Sequence, residues 1–176
     1  METKLAKDSY PLDQQQHYRL GDEGISTPRN MPPGELCIAT KEDVEALVPD
    51  YHAENVHYFE GEERSLDQCK ASLEHFAAER MLLIYRYKGH NMAMMTFREV
   101  TGKIAQVTGQ HTMSCYRSRG FGQMLLYEAV DHLITERGYE DVIVAASSQD
   151  EATNSVYWRL GFEPSEIMAT YGIGAN

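Results

Sequence analysis

The chain has 176 residues, 42% of them hydrophobic, and carries 16 lysines and arginines against 27 aspartates and glutamates. This length supports one domain with a sizeable core and is too short for two comfortable ones. The formal net charge of −11 argues against a nucleic-acid-binding protein, because binding to phosphodiester backbones needs clustered basic side chains. Small molecules and proteins remain as the expected partners.

Three cysteines, Cys37, Cys69 and Cys115, are widely spaced and odd in number, which predicts neither a disulfide framework nor a zinc site. No apolar run reaches the length of a membrane span, and the first residues lack an apolar signal segment. We therefore expect a reduced, soluble, cytoplasmic protein that contacts no membrane.

Negative charge concentrates in residues 40–79, which hold eleven acidic and three basic side chains. Such a field favours a cationic partner, for example an amine. A solvated acidic face that only keeps the protein soluble is an equal alternative.

Residues 1–34 contain four of the six prolines, the run Gln14-Gln15-Gln16 and little apolar periodicity. This composition predicts a polar, proline-rich N-terminal arm that packs on the domain or on a partner chain. The folded domain is expected at residues 35–176.

Within that domain, residues 36–39 predict a first strand, followed by a helix that Thr40 caps and that Pro49 should kink or end. Ser65 is expected to cap a second helix that runs to about residue 79. Residues 81–88, 92–99 and 104–113 then read as three strands, and the short turns between them predict antiparallel hairpins.

The third of these strands leads into residues 117–122, Arg-Ser-Arg-Gly-Phe-Gly, and then into a helical pattern that extends to about residue 137. Gly120 and Gly122 let the backbone bend tightly and approach a ligand closely. Consecutive N–H groups at the positive end of the helix suit a pyrophosphate. The spacing fits neither the dinucleotide fingerprint nor the P-loop.

An apolar strand at 142–146 follows, so the helix makes a crossover that requires parallel pairing, and a mixed α/β sheet is expected. A short helix at 154–160 and a last strand at 166–171 complete the pattern. Residues 154–162 read Asn-Ser-Val-Tyr-Trp-Arg-Leu-Gly-Phe.

These two motifs resemble those of the GCN5-related N-acetyltransferases (GNAT family). Residues 117–122 match that family's pyrophosphate loop, Gln/Arg-x-x-Gly-x-Gly/Ala, and residues 154–162 match its later helix, in which a tyrosine precedes a Leu-Gly-Phe turn. The resemblance implies one GNAT-like domain, with an antiparallel meander joined to a parallel βαβ unit and a splayed central sheet. The chain ends sooner than the family usually does. Either a terminal strand is missing, or the arm or a partner chain fills the edge.

The resemblance also implies a function, the direct transfer of an acetyl group from acetyl-coenzyme A to a primary amine in a ternary complex. The amine acceptor would be a small molecule or a protein, expected to be cationic, and a homodimer is compatible with the pattern. A non-catalytic acyl-coenzyme A-binding regulatory or interaction protein is the alternative.

Roles for individual residues follow from the resemblance alone. The coenzyme would be bound by the backbone of residues 118–122 and of two strand positions, and by several side chains. The implied set is Gln110, Thr112, Arg117, Ser118, Arg119, Gly120, Phe121, Gly122, Asn154 and Tyr157. Asn154 is the less secure assignment, because the family often has its asparagine seven residues before the tyrosine, where this chain has Asp150.

Tyr157 is the expected general acid, since a phenol with an ordinary pKa of about 10 is protonated at neutral pH. A tyrosine packed in the core is the plain alternative. Some family members have a glutamate base at the position of Gln106, which cannot accept a proton. His111 and Glu99 are therefore the candidate bases, although a structural histidine is the commoner case.

Two further groups are expected to have no catalytic role. His52, Glu54 and His57 lack the His-Glu-x-x-His spacing and are read as surface residues rather than metal ligands. Cys115 lies close to the positively charged loop, but direct transfer needs no nucleophilic thiol.

Overall fold

Seven strands form one sheet in the order β2-β3-β4-β5-β6-β1-β7, as described by a computed structural model that covers residues 9–58 and 64–173. The strands are β1 (Ser9–Leu20), β2 (Glu35–Ile38), β3 (Leu82–Tyr87), β4 (His90–Thr101), β5 (Ile104–Thr112), β6 (Asp141–Ser147) and β7 (Phe162–Ile173). The α-helices of this part of the chain are α1 (Lys41–Tyr58), α2 (Leu66–Ala78), α3 (Phe121–Thr135) and α4 (Glu151–Arg159), and a short 3-10 helix spans Ser114–Tyr116.

The predicted meander and crossover are confirmed. Strands β2 to β5 pair in sequence as antiparallel neighbours. Strands β5 and β6 pair in parallel, with α3 as the connection between them. The fold is therefore the expected mixed α/β domain of GNAT type.

Helices cover the sheet on both faces. One core cluster contains residues of α1 and α2 packed on β3 and β4, among them Leu47, Leu73 and Met94. A larger cluster on the other face contains residues of α3 and the α4 region. Its fully buried members include Phe97, Leu125, Ala129, Val142 and Val144.

Strand β1 comes from the segment that the sequence predicted as an arm. It lies between β6 and β7 and is antiparallel to both, so it supplies the strand that the C-terminal part of the chain lacks. The polar run Gln14-Gln15-Gln16 lacks the apolar alternation by which a strand is recognised, so this strand was not predicted. The division of the chain at residue 34 stays a prediction.

Helix α1 continues through Pro49 to Tyr58, so the prediction that Pro49 could end it is wrong. A proline inside a helix costs one backbone hydrogen bond and about 3 kcal/mol. Buried contacts of Leu47 and Val48, together with hydrogen bonds to Asp50, stabilise the helix on both sides of the proline.

The other helix boundaries follow the sequence closely. Ser65 caps α2 in a reciprocal capping box with Gln68, as its position predicted. Helix α4 begins earlier than expected, because the Asp150 carboxylate accepts a hydrogen bond from the Thr153 N–H and caps it. None of the described helices combines the length and the apolar character that crossing a membrane requires.

Candidate active site

Strands β5 and β6 separate part-way along their length. Their pairing runs from Ile104 opposite Asp141 to Gln106 opposite Ile143, and within the described residues it extends no further. Strand β5 nevertheless continues to Thr112, and β6 continues to Ser147. The expected splay of the central sheet is thus present, and it opens toward the N-terminus of α3.

Residues 117–122, here called the cradle, form the turn at the open end of this splay. Gly120 is the N-cap of α3 with φ of 84°, a left-handed conformation that favours glycine, and no side chain caps the helix there. The first N–H groups of a helix have no partner within it. An anion at this position would satisfy them and would interact favourably with the helix dipole.

Gly122, in the first turn of α3, lies close to the end of β5. A Cβ atom at this position would lie 2.5 Å from Thr112 Oγ1, so only glycine fits without a shift. The Gln110 side-chain amide donates a 2.9 Å hydrogen bond to the Gly122 carbonyl. Its Oε1 atom is buried and has no partner among the described residues, so an amide N–H of a bound molecule could satisfy it.

Tyr157, on α4, is buried, with 4% of its surface exposed. Its hydroxyl lies 3.5 Å from the Ala145 carbonyl of β6, a long contact that leaves the proton weakly engaged. Burial, with smaller contributions from Asp150 and Tyr18, raises the pKa of Tyr157 above the ordinary value. The phenol is therefore protonated at neutral pH and can act as a proton donor.

The turn at the uncapped N-terminus of α3 and the buried Tyr157 phenol thus lie beside one splay. The family model described as "Acetyltransferase (GNAT) family" matches residues 44–162, about two thirds of the chain. The chain belongs to this family.

Solved structures show the same fold at low sequence identity. A GNAT-family acetyltransferase from Colwellia psychrerythraea superposes with a TM-score of 0.72 at 16% identity, covering 92% of this chain and 56% of that one. A GCN5-related N-acetyltransferase from Sphaerobacter thermophilus gives 0.68 at 17%, covering 93% and 52%. This chain thus spans about half the length of those two proteins.

PaiA N-acetyltransferase from Thermoplasma acidophilum, solved in complex with coenzyme A, has a TM-score of 0.59 at 15% identity, with 73% of this chain and 88% of that one covered. No curated protein matches the sequence of this chain.

The cradle of this GNAT chain has a partner that the sequence did not reveal. Asn30, in the segment between β1 and β2, donates a 3.0 Å hydrogen bond to the Arg119 carbonyl. The same amide nitrogen lies 2.8 Å from the point where a Cβ of Gly120 would be. No local pattern marks Asn30, because its role depends on a contact 89 residues away.

The two cradle arginines are exposed. The Arg119 guanidinium lies over the Tyr116 ring, 5.9 Å from its centre, whereas Arg117 Nε lies 3.4 Å from the Thr112 carbonyl. Both therefore place positive charge beside the cradle without entering the core.

Asn154 contacts the protein on both sides of its amide. Its Oδ1 accepts a 2.8 Å hydrogen bond from the Tyr18 hydroxyl, and its Nδ2 donates a 2.9 Å bond to the Ser147 carbonyl. These bonds tie α4 to β1 and to the end of β6. Coenzyme binding by Asn154 stays a prediction.

The two candidate bases lie apart from each other. His111 Nε2 is 3.0 Å from the Asp50 carboxylate, on the face covered by α1. Glu99 is opposite Ala105, whose side chain belongs to the α3 face. His111 therefore lies on the side of the sheet that also carries Gln106, whereas Glu99 lies on the other side, and the roles of both stay predictions.

Asp50 also accepts a 2.7 Å hydrogen bond from the Ser114 N–H, just before the cradle. Burial alone would raise the pKa of Asp50, but the hydrogen bonds from His111 and Ser114 lower it below its ordinary value. Asp50 is therefore ionised at neutral pH and connects α1 to the turn that leads into the cradle.

The remaining groups give no second centre in the described part of the chain. No cluster of three histidine, cysteine or acidic side chains there could hold a metal ion. His52 Nε2 bonds to the Arg64 carbonyl, and the side chains of Glu54 and His57 lie outside the description. Cys115 is an exposed free thiol.

Proposed function

We propose that this chain transfers an acetyl group from acetyl-coenzyme A to a primary amine. One observation supports this most: the uncapped N-terminus of α3 and the buried Tyr157 hydroxyl lie beside the same splay between β5 and β6. The first suits a pyrophosphate and the second suits a departing thiolate.

The binding roles rest on the backbone. N–H groups of Ser118 to Gly122 would bind the pyrophosphate, with Arg117 and Arg119 adding positive charge. The backbone of Gln110 and Thr112, on the unpaired part of β5, would pair with the pantetheine arm. The buried, unpartnered Gln110 Oε1 fits a ligand that carries amide N–H groups.

The coenzyme supplies a thioester whose carbonyl carbon the amine nitrogen attacks, after which the carbon–sulfur bond breaks. Tyr157 donates its hydroxyl proton to the departing sulfur and recovers a proton from solvent. Gln106 accepts no proton, so we assign to water the removal of the ammonium proton before attack and of a second amine proton after it, with His111 and Glu99 acting only through a water chain. Burial of Tyr157 keeps bulk water from competing at its hydroxyl.

The amine group of the acceptor is proposed to be a cationic ammonium before it reacts, because residues 40–79 carry a net charge of −8. Four of the carboxylates in this region are already paired within the protein. The pairs are Glu74 with Lys41, Glu45 with Lys70, Asp43 with Arg86, and Asp50 with His111. Lys41 and Lys70 are already counted in this net charge, so only the pair of Asp43 with Arg86, which lies outside the region, lowers the field further.

The test is release of free thiol from acetyl-coenzyme A in the presence of primary amines, with tertiary amines as the control. Release that depends on a primary amine and is lost in Tyr157→Phe supports transfer. Tight coenzyme binding without release from any amine would instead support the alternative, a non-catalytic acyl-coenzyme A-binding protein.

A further inference from the structure

Arg98 lies at the vertex of the splay, on the side of the sheet that carries Gln106. It is directly opposite Gln106 in the β4–β5 pairing, and Gln106 is opposite Ile143 in the last paired row of β5 and β6. In the next paired row, the Thr96 and Thr108 hydroxyls are hydrogen-bonded at 2.9 Å, so these two side chains point to the same side of the sheet as Arg98 and Gln106. The vertex is therefore polar on this side.

The Arg98 guanidinium is anchored through one edge only. Its Nε donates a 2.8 Å hydrogen bond to Gln106 Oε1, and the Gln106 side chain is itself buried, with 7% exposed. Arg98 is exposed, and among the side chains that the structure describes no carboxylate forms an ion pair with it. Its two terminal nitrogens remain available as a preorganised pair of donors.

We propose that Arg98, positioned by Gln106, binds an anionic oxygen group of the acceptor, a carboxylate or a phosphate, while the acceptor's amine faces the thioester. A planar guanidinium matches the two oxygens of either group. The acceptor is then a small amine that also carries an acidic group. This inference rests on the proposed function, since it places the acceptor at the splay.

The buried Gln106 explains why a glutamate would not serve here. A carboxylate at this position would form an ion pair with Arg98 and would compete with the acceptor's acidic group. The neutral amide positions the guanidinium through its oxygen and leaves its charge uncompensated.

The experiment measures binding to the protein saturated with coenzyme A. The probes are glycine, β-alanine and phosphoethanolamine, each compared with a counterpart that keeps the amine and lacks the acidic group: glycinamide, β-alaninamide and ethanolamine. We expect at least one acidic probe to bind about tenfold or more tightly than its counterpart. The carboxylate and phosphate probes distinguish the two kinds of oxyanion.

Two variants test the residues, and a third controls for charge. Arg98→Ala should abolish the preference for the acidic probe, and Gln106→Glu should reduce it. Lys103→Ala removes a nearby exposed cation that pairs with Glu140 and should leave the preference unchanged. Equal binding of each probe and its counterpart, no binding of any probe, or an equal loss for both members of a pair in Arg98→Ala would overturn the proposal.

Thiol release with the same probes separates this inference from the proposed function. Carboxylate- or phosphate-dependent binding without release would count against acetyl transfer and still support the subsite. Release from amines without any preference for the acidic probes would support transfer and contradict the subsite.

Discussion

The Tyr18 hydroxyl donates a 2.8 Å hydrogen bond to Asn154 Oδ1, which joins β1 to α4 across 136 residues of sequence. The Tyr18 ring also meets the Tyr157 ring edge-on, with the centres 5.5 Å apart. The N-terminal strand therefore contacts the helix that carries the proposed general acid, so its contribution to stability should be measurable.

Replacing Tyr18 with phenylalanine removes this hydrogen bond and leaves a partly buried amide oxygen unsatisfied. We expect the free energy of unfolding to fall by about 1 to 2 kcal/mol, measured by urea denaturation. Asn154→Ala and the double variant complete a mutant cycle, which should give a coupling energy of about 1 kcal/mol. Strict additivity of the two changes would mean that the bond contributes nothing.

Tyr157→Phe tests the proton donor. Loss of general acid catalysis should lower kcat by about 100-fold or more, while the Kd for acetyl-coenzyme A changes less than about twofold, because the ring packing against Tyr18 and Phe162 is kept. Steady-state kinetics and calorimetry measure the two quantities. An unchanged kcat would mean that Tyr157 only packs in the core and is not the proton donor.

Gly122→Ala should weaken coenzyme binding by about tenfold or more, because the new Cβ meets Thr112 Oγ1 at 2.5 Å and must shift the start of α3. Thr112→Ala in the same chain removes that oxygen and should restore most of the affinity. Gly138→Ala is the control. It is strained by its φ of 77°, with no atom of the described residues within 4 Å of its Cβ, so it should cost about 1 kcal/mol of stability without changing binding.

Asp50→Asn should make the protein less sensitive to acid. The hydrogen bonds from His111 and Ser114 lower the pKa of Asp50 in the folded protein. The ionised carboxylate therefore stabilises the fold above the pKa of Asp50 in the unfolded chain, about 3.9. This stabilisation is lost as the pH falls through the lower pKa of the folded state. Urea denaturation at several pH values should show the wild-type advantage shrinking below about pH 4. Asp131→Asn, at an exposed position on α3, serves as the comparison. A difference in the free energy of unfolding between the wild type and Asp50→Asn that does not change with pH would contradict this role of Asp50.

Local signals explain which parts of the molecule could be predicted. In the strands of the meander, apolar and polar residues alternate or the strand ends at a clear turn. Ser65 has its capping partner three residues away. The cradle glycines directly follow the strand that positions them. Each of these patterns is complete within about ten residues of sequence, and each was recovered in the structure with small shifts at the ends.

The features that were missed all depend on distant partners. Strand β1 has too few apolar residues to be recognised from its own sequence. It is held in the sheet by pairing with β6 and β7, which are distant in sequence. Asn30 looks like an ordinary surface residue until Arg119 is placed beside it. At Pro49 the sequence predicted a helix end that is absent. The proline does weaken the helix locally, but tertiary contacts outweigh this effect.

Calorimetric titration of the folded protein with acetyl-coenzyme A, run beside ATP and repeated with Gly122→Ala, tests the central claim most directly. We expect micromolar binding of the coenzyme, no comparable binding of ATP, and a clear loss of coenzyme binding in the variant. Absence of binding by folded protein free of co-purified coenzyme, or equal binding by Gly122→Ala, would contradict a coenzyme site at the cradle.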